Sequence, residues 1–77
     1  MSINLAPDAM DRLCDELGTS RNELARQVGV TPQTAYRIQR GRTQPGSFFI
    51  ASLLQLAAKI YGGSPEDHFG RLFVVSA

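Results

Sequence analysis

The sequence predicts an all-α fold, a compact arrangement of five helices followed by a short apolar tail. Three observations lead there. Apolar residues recur at helical spacing along successive stretches, and helix-starting and helix-stopping residues punctuate the chain between them. The third is size: 77 residues, 43% apolar and 19% charged, describe one ordinary folded domain over 1–77. At that length folding buries about 60% of the unfolded surface, enough for one core but not for a deep enclosed pocket as well. A large-cofactor enzyme is not expected.

The elements follow in order. Pro7 to Leu17 sets Met10, Leu13, Cys14 and Leu17 on one stripe, with Pro7 in a first turn, Asp8 near the positive dipole end and Gly18 as the stop. Ser20 and Glu23 have the spacing of a capping box, each side chain serving the other's backbone donor, and open a short helix whose buried stripe is Leu24, Ala25 and Val28. Gly29 suits a left-handed C-terminal position, and Thr31-Pro32 is an N-cap followed by a helix-starting proline. In this third helix Ala35 and Ile38 share one side, while Gln33, Tyr36, Arg37 and Arg40 share the other; Gly41 ends it. After the Arg42–Gly46 loop, Ser47 is expected to cap a fourth helix running to Tyr61. Its two apolar seams, Phe49, Leu53, Leu56 and Ile60 beside Ile50, Leu54, Ala57 and Tyr61, are wider than one core-facing stripe needs. Gly62-Gly63 breaks the chain, Ser64-Pro65-Glu66-Asp67 starts a short helix to about Gly70, and Leu72-Phe73-Val74-Val75 reads as a packed extended segment or short strand.

Charge is uneven although the net is only +1. Residues 1–19 set Arg12 against Asp8, Asp11, Asp15 and Glu16, whereas residues 20–42 set Arg21, Arg26, Arg37, Arg40 and Arg42 against Glu23 alone. Every basic residue but Lys59 is arginine, whose planar donor fork suits phosphates and guanine edges. The middle third is a candidate anion-binding surface. A lone cysteine, Cys14, excludes an internal disulfide and paired-cysteine zinc sites, which points to a reducing cytoplasm. Residues 1–10 lack a secretory pattern, and the most apolar stretch, Phe48 to Ile60, is too short and too interrupted to span a bilayer. Cys14 falls on a buried stripe, and His68, expected to be exposed or capping, has no partners spaced for a metal or nucleophilic site. No catalytic residue, metal, cofactor or small-molecule ligand is implied.

Residues 20–41 fit a helix-turn-helix: two short helices crossing steeply around a tight glycine turn, with Ala25 permitting close approach and Val30 and Ile38 filling the crossing. A helical hairpin of another kind of bundle is the alternative. The stretches Asn22–Thr31 and Thr34–Arg42, then Pro45 and Leu53–Ala57, resemble the lambda repressor and Cro family, also called the xenobiotic-response-element family. The resemblance runs from about Leu13 to Tyr61. More weakly, His68–Val75 resembles the ending of small actinobacterial and actinophage members.

That resemblance implies a lambda-repressor-like fold whose third helix enters the DNA major groove. Gln33 would take adenine N6 and N7 and Arg37 guanine O6 and N7, each bidentate pair discriminating by roughly 1–3 kcal/mol. Pro32 stands where many relatives have a polar reader and would meet a thymine methyl; Tyr36 would touch a base or a phosphate. Arg21, Thr31, Thr34, Arg40, Arg42 and Thr43 would hold phosphates. Two departures stand out. Gln39 replaces a glutamate that many relatives pair with an arginine on helix one, where this chain has Cys14, and Arg21 replaces a common glutamine.

A monomer with about four phosphate contacts would bind weakly, so a homodimer on half-sites about 34 Å apart is expected. A dimer on about eight phosphates gives a log–log salt slope near −7. Phe48, Phe49, Tyr61, Phe69, Phe73 and Val75, within the 47–77 helix and tail, either form that interface or cover the core. The expected function is a cytoplasmic, nucleoid-associated repressor acting by occlusion of a palindromic operator, of phage or bacterial origin. The rival is an interaction module, an antitoxin or transcription-machinery adaptor docking through helix 47–61.

Overall fold

Leu13, Leu24 and Leu53, one from each of three helices, are fully buried and lie at the centre of a single apolar cluster. The computed structural model describes residues 2–76 and places around that cluster β1 (Ser2–Leu5), α1 (Ala9–Leu17), α2 (Arg21–Val28), α3 (Pro32–Gln39) and α4 (Ser47–Tyr61). A 3-10 turn over Pro65–His68 leads into α5 (Phe69–Leu72) and then β2 (Phe73–Ser76). The five expected helices are present and the fold is all-α of lambda-repressor-like type, with one addition. β1, unforeseen in the sequence, pairs antiparallel with β2, Ser2 opposite Ser76 and Leu5 opposite Phe73. A four-residue strand with only Leu5 buried has too little alternation to read in advance.

Several ends differ from expectation for local reasons. α1 begins at Ala9, because Asp8 takes a left-handed conformation (φ 64°) that turns the chain out of β1; aspartate tolerates this better than most residues. α4 is capped by Gly46, and Ser47 is its first residue. The box at the start of α2 is half formed. Ser20 Oγ accepts from Glu23 N at 3.2 Å, but the Glu23 carboxylate turns to Arg26. Gly29 does adopt the left-handed turn (φ 93°), and a Cβ there would lie 3.1 Å from the Phe48 ring, so glycine is needed for conformation and for space.

The extra apolar width of α4 is used inside the molecule. Phe49, Leu53 and Ala57 are buried, Ile50, Leu54, Leu56 and Ile60 pack against the core, and the Pro65–His68 turn lies along the helix. Phe49 and Phe73 are therefore core residues and not interface residues. Phe69 is half-buried and stacks on Phe73 with ring centroids 5.2 Å apart. His68 is not exposed: at 5% exposure it is buried, and it takes the capping alternative, its Nε2–H donating at 2.7 Å to the carbonyl of Gly62, the residue that ends α4. It is a strut between the end of α4 and the following turn. Among the described residues no helix is long and apolar enough to cross a membrane, and no three metal-ligating side chains converge.

Candidate nucleic-acid interface

The site is built on α3. Thr31 begins it: its hydroxyl oxygen accepts from Thr34 N at 3.2 Å and its O–H pairs with the Thr34 hydroxyl at 2.9 Å. Pro32 follows at the first helical position, where its missing N–H costs nothing. Ala35 and Ile38 are buried against the core, which turns Gln33, Tyr36, Arg37 and Arg40 outward. The periodicity expectation holds for all six. Tyr36 is 52% exposed, and the Arg40 guanidinium lies 5.6 Å from its ring centroid, a cation–π contact on the open surface. Past Gln39 the helix closes through Gly41 N to Ile38 O and Arg42 N to Arg37 O, leaving Arg42 and Thr43 exposed beside it.

Two glutamines that the sequence did not single out as anchors hold this surface. Gln39 Oε1 accepts from Met10 N at 3.3 Å, tying α3 to the first turn of α1. The Cys14 position takes no part; the contact between α3 and α1 is a neutral one made at Met10, a turn away. Gln44 Oε1 accepts from Ile3 N at 3.3 Å and ties the loop after α3 to the outer edge of β1. Polar residues inside a cationic stretch gave no signal for this, since both partners lie far off in sequence.

Between the start of α2 and α3 runs a groove of about 240 Å³ lined by Met10, Arg21, Asn22, Pro32, Ala35, Tyr36 and Gln39. It brings Arg21 of α2 onto the same surface as Pro32 and Tyr36 of α3. Asn22, exposed in the first turn of α2, joins them and was missed. Arg21 is not free: its Nε and Nη2 both lie 2.7 Å from Asp11 Oδ1 of α1. Arg26 is 3.6 Å from Glu23. Among the described residues, Arg37, Arg40 and Arg42 have no carboxylate at ion-pair distance. Beneath the Asp11 side, burial and then the Asp11 carboxylate push the Cys14 thiol up from its ordinary value of 9.0. The thiol stays protonated and is a core residue, not a nucleophile.

A short helix, a left-handed glycine turn and a second helix with an outward polar and cationic face define the helix-turn-helix class of nucleic-acid reader. A family model described as Helix-turn-helix matches residues 10–67, and the chain belongs to that family, in its xenobiotic-response-element branch of lambda-repressor-like domains. It is a DNA-binding transcription regulator, its partner is double-stranded DNA, and the family is not normally enzymatic. No curated protein and no solved structure matches the chain.

Proposed function

We propose that the protein is a sequence-specific repressor that binds a palindromic operator as a homodimer, acting at the cytoplasmic nucleoid through one domain. The observation that carries this is the outward face of α3, where Gln33 and Arg37 are exposed and Arg37 is uncompensated by any carboxylate among the described residues. An arginine without a carboxylate partner beside a glutamine offers the two side chains that pair bidentately with guanine and adenine edges. Pro32 and Tyr36 flank these two, supplying apolar and aromatic contact. Arg40, Arg42, Thr34 and Thr43 surround the helix as phosphate ligands, with Thr31 at its start and Arg21 across the groove.

The six residues considered for dimerisation narrow to few. Phe49 and Phe73 are core, Phe69 stacks inward, and the Tyr61 ring is covered by the Arg71 guanidinium at 4.8 Å. Phe48 stays 65% exposed where it leans over Gly29, and on β2 Val75 (50%) is open on one face and Val74 (45%) on the other. The strand register supports a second copy there. Ala6 N donates to Leu72 O, so residues 73 and 75 turn their backbone groups to the outer edge of β2; the Phe73 N–H is taken by Phe69 O, while Val75 has no backbone partner among the described residues. The interaction-module alternative keeps mainly Phe48 on α4, because the seams of that helix pack against the core.

Selection of bound duplexes from random DNA tests the reading. An inverted repeat with half-site centres about 34 Å apart is expected. A single asymmetric site would overturn the dimer, and no enrichment would overturn sequence reading altogether.

A further inference from the structure

We propose that Asp11 limits how tightly the protein holds DNA by occupying Arg21 in place of a backbone phosphate. The inference rests on the reading above, in which Arg21 is one of the phosphate ligands. Arg21 Nε and Nη2 converge on one oxygen, Asp11 Oδ1, at 2.7 Å. To a guanidinium, a carboxylate oxygen and a phosphate oxygen are the same kind of partner, an anionic acceptor for charge-assisted hydrogen bonds, so the two compete for these donors. The Arg21 side chain is 66% exposed and that of Asp11 44%, so the pair is accessible and, like other exposed pairs, readily opened.

The two partners differ in freedom. Asp11 is a short side chain fixed on α1, whereas Arg21 has a long stem and lines the groove beside Asn22, Pro32 and Tyr36. A phosphate arriving at the groove can take Arg21 only by breaking its pair with Asp11, so the guanidinium donors stay divided between two anionic acceptors. The contact then adds little net neutralisation of the duplex, so few counterions are released on its account. Arg37, Arg40 and Arg42 meet no such competitor among the described residues. Because phosphate contacts carry no base information, Asp11 lowers affinity for all sequences alike and leaves base preference untouched.

The test is anisotropy titration of a selected site and a scrambled duplex with the full chain, as wild type, Asp11→Asn, Arg21→Gln and the double variant, between about 50 and 200 mM salt. Asp11→Asn is expected to bind both duplexes roughly three- to tenfold tighter at low salt, with a slope steeper by about one per protomer and an unchanged ratio between duplexes. The double variant should bind like Arg21→Gln alone. Three results overturn the proposal: weaker binding by Asp11→Asn, which makes Asp11 a positioning residue for Arg21; the same gain in the Arg21→Gln background, which makes Asp11 a direct repeller of DNA; or no change. If wild type binds the scrambled duplex as well as the selected one while Asp11→Asn still tightens both, base reading fails and this inference stands.

Discussion

The two ends of the helix-turn-helix carry the same residue type in opposite electrostatic states. At the start of α2 and along it, Arg21 faces Asp11 and Arg26 faces Glu23; at the far end of α3 and just beyond, Arg37, Arg40 and Arg42 stand without a carboxylate partner among the described residues. A compensated pair is a dipole, whose field dies away faster than that of a lone charge, and salt screens what is left within about 10 Å. The field felt by an approaching duplex is therefore set mostly at one end of the motif. Counting arginines along the chain overstates the other end.

The contrast can be broken by mutation, and the largest effect should come from Arg37. Replacing it with alanine is expected to weaken binding to the selected site roughly ten- to a hundredfold and to relax preference at one base pair, with the melting temperature unchanged. Repeating the random-duplex selection with the variant checks this; an unaltered preferred sequence would remove Arg37 as a reader. Next comes Arg40→Ala beside the double variant Arg26→Ala/Glu23→Gln. The first should lose about three- to tenfold for every duplex and flatten the salt slope by about one, while the second, which removes a compensated pair whole, should change neither. Equal losses would erase the distinction between the two ends.

A smaller effect concerns what holds the uncompensated end in place. Gln39→Ala removes the acceptor for Met10 N, and chemical denaturation should register a loss of about 0.5–1.5 kcal/mol with α3 more weakly docked on α1. The smallest effect tests the compensated end by pH. The Cys14 thiol is pushed up in the fold, so the folded state holds its proton where the unfolded chain has begun to release it. Its contribution is fully present below about pH 9 and is lost as pH rises through the raised folded value. Stability of the wild type should fall faster than that of Cys14→Ala across that range, and parallel curves would contradict the assignment.

Local patterns made most of the scaffold readable. Gly29, Thr31-Pro32 and the Ala35/Ile38 spacing encode the turn and the buried side of α3 within a few residues of one another, and the outward set Gln33, Tyr36, Arg37 and Arg40 followed from the same geometry. What escaped depended on distant partners. Arg21 looked free because Asp11 meets it only when α1 packs on α2, and Glu23 left its expected box because Arg26 offered a charge one turn on. Phe49 and Phe73 looked like surplus apolar surface because the helix packing and the strand pairing that bury them have no short-range signature. His68 hid for the same reason, since its partner is the Gly62 carbonyl and not another side chain.

The pairing of β1 with β2 also bears on how the molecule assembles. Joining residues from opposite ends of the chain requires closing the longest loop available, with an entropic cost that nearby helix contacts do not meet. The helices can gather first, and the two strands then zip shut as a late seam. Amide protons of Asn4 and Val74 should accordingly exchange with solvent well before those of Leu24 or Leu53, so that the molecule unbuttons at its seam while its helical interior remains assembled.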